Sequence, residues 1–269
     1  MKDPSKYTAV HRLNFELKHR QNFSKVNDEK KEILLKIKRD GYIVIPNFLD
    51  KSFCDSCIKD TEWMFENKKE FIQNVFDMRI FGAEELSENI KKFSDDKLIN
   101  EIAELYNAVP TTMGFTLTNK IEANGQEFGS GGSWHRDSYF RQFKSILYLN
   151  DVNENNGPFQ IVAKSNKSDQ IKKDTKIGNL EQMQSRFENN EIEKITENEP
   201  ERIHTLTGKA GTLILVDTST IHRGKPLKNG IRYALTNYFF EKTQINSHLV
   251  EHFSPLVSPE KVLKKTMIQ

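Results

Sequence analysis

The chain of 269 residues is 36% hydrophobic, with 18 phenylalanines, so it is long and apolar enough to bury a sizeable core. Its 40 lysines and arginines against 38 aspartates and glutamates leave a net charge of +2, which excludes the basic stripe of a dedicated nucleic-acid-binding protein. It has no apolar run long enough to span a membrane, no visible signal peptide and two cysteines, so we expect a cytoplasmic protein.

The first part of the chain is predicted to be mainly helical. Residues 1–27 are polar and indicate a weakly structured arm or a surface helix, and the helical region follows over residues 28–110. Asp28 is a suitable N-cap for its first helix, and Gly41 is a suitable stop. A short β-branched strand follows Gly41, and apolar residues near 3.6 spacing predict further helix over residues 83–107.

The second part of the chain is predicted to consist of short strands. Apolar residues that alternate with small or polar ones over residues 113–121 are typical of a strand. Further strands are predicted over residues 143–149, 159–162, 202–207, 212–216 and 231–241. Residues 164–201, which are rich in lysine and glutamate, predict a solvated, partly helical insertion.

The order of these elements indicates the fold class. Because helices come first and short strands follow, the pattern favours an α+β fold with a mainly β, antiparallel core of the sandwich or jelly-roll type. We expect a single domain over residues 28–245, with the β core over 111–241 and a tail over 246–269. No internal repeat is present in the sequence.

One histidine motif could hold a metal ion. Of the seven histidines, His135 has a carboxylate, Asp137, two positions later, and chance alone supplies about one such pair in this composition. Residues two apart on a strand share a face, so the pair could hold one metal ion. His222 is the best third ligand, because it follows the buried-looking strand 212–216. Two histidines and a carboxylate suit non-haem Fe(II) oxygenases, and the same set suits Zn²⁺.

Arg232 is a candidate anion-binding residue. It lies within the last predicted strand, where Arg232, Ala234, Thr236 and Tyr238 would share a face. A buried arginine is costly unless it is paired, and its planar guanidinium suits a carboxylate. The alternative is an arginine that faces solvent on an edge strand.

Several segments in chain order match the pattern of a known family. They are residues 40–49, 134–138, 148–152, 156–159, 211–224 and 230–234. Together they resemble the phytanoyl-CoA dioxygenase family, which belongs to the Fe(II)/2-oxoglutarate oxygenases. The resemblance covers roughly residues 33–240. It implies a double-stranded β-helix, a cupin-like jelly roll, with N-terminal helices packed on it.

The resemblance also implies a set of site residues. By position, they are His135, Asp137 and His222 for Fe(II), and Arg232, Tyr148 and Thr236 for 2-oxoglutarate. The implied activity is a dioxygenase that uses O₂ and 2-oxoglutarate to hydroxylate an aliphatic C–H bond, with release of succinate and CO₂. Two departures concern the substrate and the details of 2-oxoglutarate binding: residues 163–167 differ from the family's usual segment, and Gly224 stands where some members use a serine to contact the co-substrate.

The substrate is expected to be a small molecule of lipid or carbohydrate type. Residues 164–201 are the expected lid and specificity element, and their charge favours a small polar or glycan-like substrate over a long bare lipid. Two alternatives remain open at the level of the sequence. One is a non-catalytic, cupin-like module that binds a metal or ligand, and the other is a zinc-dependent hydrolase that uses the same three ligands.

Overall fold

The computed structural model describes residues 26–74, 77–109, 111–123, 125, 129 and 131–241, with isolated positions 13, 17 and 256. The predicted arm 1–27 and tail 246–269 lie almost wholly outside the described residues. None of the helices in the described part of the chain has the length and apolar character that a bilayer span requires.

Helices dominate the first part of the chain and strands the second, as the sequence predicts, and the short strands at 73–74, 78–81, 186–187 and 222–224 are additional to those predicted. The helices are α1 (Asp28–Asp40), α2 (Lys51–Asn67), α3 (Glu88–Ser94), α4 (Lys97–Asn107), α5 (Ser168–Gly178) and α6 (Asn189–Thr196), with 3₁₀ turns at Lys69–Phe71, Ala83–Glu85 and Pro200–Arg202. The strands are β1 (Tyr42–Ile45), β2 (Gln73–Asn74), β3 (Met78–Phe81), β4 (Thr111–Glu122), β5 (Trp134–His135), β6 (Phe143–Tyr148), β7 (Phe159–Val162), β8 (Arg186–Phe187), β9 (Ile203–Leu206), β10 (Leu213–Asp217), β11 (His222–Gly224) and β12 (Ile231–Glu241).

The strands form two antiparallel sheets. The larger sheet has the order β1-β10-β6-β12-β4-β3-β2, and the smaller has the order β8-β5-β11-β7-β9. Strands β1, β2 and β3, from the region predicted to be mainly helical, join the larger sheet at its two edges. The fold is the predicted α+β arrangement around a jelly-roll, double-stranded β-helix core.

Local sequence explains where the first helix begins and ends. Asn27, rather than the predicted Asp28, is the N-cap, and its side chain accepts a hydrogen bond from the backbone of the first turn. Gly41 ends the helix as predicted, with φ of 93° and its N–H donated to the carbonyl of Ile37. A Cβ on Gly41 would lie 2.5 Å from Thr220 Oγ1, so a larger residue would also clash there.

The core has two layers, because alternate residues of a strand face opposite sides of its sheet. On β6, Leu147 packs against the N-terminal helices, whereas Ile146 faces the smaller sheet. On β10, Leu215 packs against the helices and Ile214 faces the smaller sheet. Helices α1 to α4 therefore cover the outer face of the larger sheet. The space between the two sheets is left for the functional cavity.

The insertion 164–201 is anchored more firmly than a solvated loop. Its strand β8 pairs with β5, and Phe187 lies opposite Trp134 in that pairing. Ile192 and Ile195 of α6 are buried in the same apolar cluster. The insertion is partly helical as expected, but it is not solvated throughout, because its apolar residues on β8 and on one face of α6 are buried.

A buried ion pair joins the insertion to β9. Arg202 donates to both carboxylate oxygens of Asp174, at 2.9 and 2.7 Å, and both side chains are almost fully buried. We expect Asp174→Ala to lower the free energy of unfolding by about 3–5 kcal/mol, because it removes the carboxylate that pairs with both Nη groups of the buried guanidinium and leaves only the longer contact with Glu199, at 3.4 Å. A urea titration measures this change. The matched control is Lys173→Ala, which breaks an exposed pair with Glu199 and should cost less than about 1 kcal/mol. Equal effects of the two variants would contradict the assignment.

Candidate metal centre and its cavity

The three predicted metal ligands lie together on the smaller sheet. His135 of β5 and His222 of β11 are direct neighbours in strand register, and Asp137 follows β5 by two residues. Their ligand atoms lie within 4.8 Å of one another. Asp137 Oδ1 is 3.7 Å from His135 Nε2, and Asp137 Oδ2 is 3.9 Å from His222 Nε2. This cluster of donor atoms has the size and composition of a metal site.

Hydrogen bonds orient both imidazoles towards the cluster. His135 Nδ1 lies 2.8 Å from the carbonyl of Ser133, and His222 Nδ1 lies 2.8 Å from the carbonyl of Thr220. Because a carbonyl can only accept, each Nδ1 must carry the hydrogen, which leaves the Nε2 lone pair free for a metal. Burial and the neighbouring His135 lower the pKa of His222 to about 3, and burial lowers that of His135. Both rings are therefore neutral, as metal ligation requires.

The residues around the ligands hold the strand ends in place. The buried Arg136, which lies between His135 and Asp137 in the sequence, donates to the carbonyls of Ser219 at 2.7 Å and Ser165 at 3.2 Å. It thereby ties the end of β5 to the turn that precedes β11. Phe159 stacks on the ring of His222, with centroids 5.3 Å apart.

A lysine that was not among the predicted site residues lies beside Asp137. Lys144 Nζ lies 2.7 Å from Asp137 Oδ2. Burial alone would raise the pKa of Asp137, but Lys144 and the two histidines outweigh burial and lower it well below the ordinary value. Asp137 is therefore ionised. Strand periodicity could have revealed Lys144, because it shares the inward face of β6 with Ile146 and Tyr148.

A cavity of about 610 Å³ opens between the sheets and includes all six predicted site residues in its wall. Strand register explains how the larger sheet presents its side chains, because residues directly opposite one another point to the same face. In this way Tyr148, Ala234 and Asn119 form one row, and Ile146, Thr236 and Leu117 form the next. The metal candidates lie on the opposite wall.

Arg232 points into this cavity and not into solvent. Its side chain is 5% exposed, one of its Nη groups donates to the carbonyl of Gly157, and its Nε has no hydrogen-bond partner among the described residues. The shared face of Arg232, Ala234, Thr236 and Tyr238 is confirmed, because all four line the cavity. The alternative of a solvent-facing arginine is wrong. An unsatisfied, buried guanidinium nitrogen is the feature expected of an anion site.

The other two co-substrate candidates also lie in the wall. Tyr148 is fully buried, and its hydroxyl donates to the carbonyl of Leu206 and accepts from the N–H of Phe159, both at 2.8 Å. Burial raises the pKa of Tyr148 to about 12, so the phenol is neutral. Thr236 lies in the row next to Tyr148 on the larger sheet.

The insertion reaches the cavity through β8. Arg186, which is opposite His135 in strand register, lines the wall. Within the described residues, the lysine-rich helix α5 supplies none of the lining. Six aromatic side chains also line the wall, and they are Phe81, Phe140, Phe159, Tyr238, Phe239 and Phe240.

Solved structures share this fold at low sequence identity. The non-haem alpha ketoglutarate-dependent epimerase SnoN from nogalamycin biosynthesis aligns with a TM-score of 0.60 and 15% identity, over 80% of this chain and 83% of that chain. EctD from S. alaskensis, solved with 2-oxoglutarate and 5-hydroxyectoine, aligns with 0.61 and 16%, over 81% and 77%. HygX from Streptomyces hygroscopicus, solved with nickel and 2-oxoglutarate, aligns with 0.55 and 15%, over 78% and 86%.

The amino-acid sequence matches the model of one protein family, although it matches no single curated protein. A family model described as phytanoyl-CoA dioxygenase (PhyH) matches residues 37–233, which span helices α2 to α4, the His135–Asp137 pair, His222 and Arg232. The chain therefore belongs to the phytanoyl-CoA dioxygenase family.

Proposed function

We propose that the protein is an Fe(II)- and 2-oxoglutarate-dependent dioxygenase that hydroxylates an aliphatic C–H bond of a small polar or glycan-like substrate. The observation that carries this proposal is one cavity with a His–Asp–His cluster on one wall and the unsatisfied Arg232 on the other. Family membership supports it, and so do the neighbours SnoN, EctD and HygX, whose names or bound ligands include 2-oxoglutarate.

The donor set fits a ferrous ion. His135 and His222 offer neutral imidazole nitrogens, and Asp137 offers an ionised carboxylate, so these three residues would hold Fe(II). Two histidines and one carboxylate leave coordination positions open for a co-substrate and O₂. A structural zinc site, by contrast, is closed by four protein ligands.

Arg232 would bind the distal carboxylate of 2-oxoglutarate. Its guanidinium lies in the cavity wall, its Nε has no hydrogen-bond partner among the described residues, and one Nη group donates to the carbonyl of Gly157. Tyr148 is a neutral phenol beside this arginine, and Thr236 offers a hydroxyl on the same wall. These three residues would set the position of the co-substrate relative to the metal.

The chemistry of oxidation would come from the bound iron, which supplies the decarboxylation of 2-oxoglutarate to succinate and CO₂ and the insertion of one oxygen atom into a C–H bond. The chain's own residues bind and orient the reactants. Aromatic side chains line part of the cavity, and Arg186 brings the insertion to its wall. We also propose that residues 164–201 contribute to substrate choice through Arg186.

Two rival functions make different predictions. A zinc-dependent hydrolase needs neither O₂ nor 2-oxoglutarate, and a non-catalytic module produces no succinate. Arg232 supports the oxygenase, because 2-oxoglutarate itself supplies a carboxylate for this buried cation.

Succinate release tests the three functions together. The Fe(II)-loaded protein is incubated with 2-oxoglutarate and a panel of metabolites, with Zn(II)-loaded protein and an anaerobic sample as controls. We expect succinate when Fe(II), 2-oxoglutarate and O₂ are all present, and none in either control. Substrate turnover in the anaerobic sample would instead support the hydrolase.

A further inference from the structure

A turn between β10 and β11 contacts the segments that carry all three proposed metal ligands. Three consecutive backbone carbonyls of this turn act as acceptors, and they are those of Thr218, Ser219 and Thr220. The first accepts the backbone N–H of Asp137 at 3.0 Å, and the second accepts Arg136 Nη1 at 2.7 Å. The third lies 2.8 Å from Nδ1 of His222. The position of this turn therefore affects the ligands on both β5 and β11.

One buried carboxylate, that of Asp217 at the end of β10, is bonded to this turn. Its Oδ1 accepts the backbone N–H of Ser219 at 3.0 Å, the hydroxyl of Ser219 at 2.7 Å and the backbone N–H of Gln142 at 3.2 Å. Its Oδ2 accepts the hydroxyl of Tyr106 and Nδ2 of Asn166, both at 2.9 Å. Both oxygens therefore bind donors, which come from the turn itself, from helix α4 and from the segments before β6 and after β7.

Asp217 is close to the metal site without belonging to it. Its carboxylate is outside the cluster of donor atoms formed by His135, Asp137 and His222, and it is not part of the cavity wall. A basic side chain also approaches it, because Arg141 Nε lies 3.8 Å from Oδ2. Any contribution of Asp217 to metal binding is therefore indirect.

A short chain of hydrogen bonds leads from Asp217 to the ligand Asp137. Gln142 donates its N–H to the carboxylate of Asp217, and its carbonyl accepts the N–H of Thr218 at 2.8 Å. The carbonyl of Thr218 in turn accepts the N–H of Asp137. The backbone that carries the ligand is therefore bonded to a turn whose own partner is bonded to Asp217.

Removal of the carboxylate would disturb the turn on its other side as well. Ser219 is 2% exposed, and both its N–H and its hydroxyl are donated to Asp217. A buried donor without an acceptor is costly, so the turn would shift until these groups found other partners. The carbonyl of Thr220, one residue further along, would shift with them, and this carbonyl orients the ring of His222.

We propose that Asp217 is a positioning residue of the metal centre, whose carboxylate fixes the turn that orients His222 and the backbone of Asp137. This inference rests on the proposed function, because it takes His135, Asp137 and His222 as the metal ligands. Residues that hold metal ligands in place without touching the metal typically contribute about 10- to 100-fold to metal affinity. The effect of Asp217 is expected in the same range.

Metal affinity tests this inference without turnover. The full chain with Asp217→Ala is titrated with Ni(II) by calorimetry, under conditions in which circular dichroism shows that it is folded. We expect its Ni(II) affinity to fall by about 10- to 100-fold. Asp217→Asn should recover most of the loss, because its amide oxygen can accept the three donors that Oδ1 accepts. At saturating Co(II), the visible spectrum of Asp217→Ala should differ from that of wild type, since this spectrum reports the geometry of the ligands.

Asp174→Ala is the matched control for a purely structural effect. Asp174 is an equally buried carboxylate, but it pairs with Arg202 and not with the turn. Its loss should lower stability and leave both the Ni(II) affinity and the Co(II) spectrum unchanged. An equal loss of Ni(II) affinity in Asp174→Ala would overturn the inference, and so would a folded Asp217→Ala variant with the affinity of wild type.

Two further results keep the inference distinct from the proposed function and from simple misfolding. A wild-type chain that binds no Ni(II) would contradict the proposed function itself. If Asp217→Ala does not fold, Tyr106→Phe/Ser219→Ala replaces it, because it removes one hydroxyl donor from each carboxylate oxygen. This double variant should also bind Ni(II) more weakly than wild type, and an unchanged affinity would overturn the inference.

Discussion

Asp137→Ala is expected to abolish metal binding, with Fe(II) affinity falling by more than about 100-fold, because even residues that only support a metal ligand cost 10–100-fold. The carboxylate lies between the two histidine nitrogens, at 3.7 and 3.9 Å, and is the cluster's one anionic ligand. Equilibrium dialysis with Fe(II) or Ni(II) measures the loss. Succinate formation should disappear with it.

A second substitution shows whether the loss is local. Asp137→Ala leaves Lys144 without its acidic partner, which could itself disturb the fold. The double variant Asp137→Ala/Lys144→Met removes both charges and should fold while still failing to bind metal. Asp151→Ala is the matched control, since that exposed carboxylate pairs with Lys209. Metal affinity of the double variant equal to that of wild type would contradict the ligand assignment.

Arg232→Met is expected to weaken 2-oxoglutarate binding by about 10- to 150-fold, the equivalent of the 1.5–3 kcal/mol of a charge-assisted hydrogen bond. The same variant should not destabilise the protein when the co-substrate is absent. It replaces a buried guanidinium, whose Nε is unsatisfied, by an apolar side chain, and such replacements are often neutral or stabilising. Calorimetric titration with 2-oxoglutarate and urea unfolding measure the two effects.

The pair of results distinguishes a binding role from a structural one. Arg232→Lys should recover part of the affinity, because it keeps the charge but loses the planar geometry. Arg39→Met, at an exposed arginine paired with Asp40, should change neither quantity. Loss of stability in Arg232→Met without loss of 2-oxoglutarate affinity would show that the arginine serves the fold alone.

The parts of the site that follow strand periodicity were predictable from the sequence. The last strand has the predicted bounds, Ile231–Glu241, and its period of two correctly predicts that Arg232, Thr236 and Tyr238 share a face. The His135–Asp137 pair does come together, but not as two residues on one strand face, because β5 ends at His135 and Asp137 lies in the bend that follows it. His222 was proposed from its place after the strand 212–216 and again by the family resemblance, but its long-range pairing with β5 could not be predicted from the sequence.

Other features depend on contacts between distant segments. The two-residue strand β8 is too short to give a periodic signal, and its place beside β5 follows from tertiary pairing. The salt bridge of Lys144 with Asp137 is similar, because nothing near Lys144 in the sequence indicates that the other sheet brings a carboxylate to it. The carbonyl of Gly157 beside Arg232 carries no side-chain signal at all.

The most direct test of a shared iron and co-substrate site is an anaerobic titration of the Fe(II)-loaded protein with 2-oxoglutarate, followed by visible absorption. We predict a weak visible band that saturates with a single 2-oxoglutarate per chain, requires much more 2-oxoglutarate in Arg232→Met, and is missing in Asp137→Ala. A wild-type protein that binds Fe(II) but develops no band at saturating 2-oxoglutarate would contradict the assignment of His135, Asp137, His222 and Arg232 to one site.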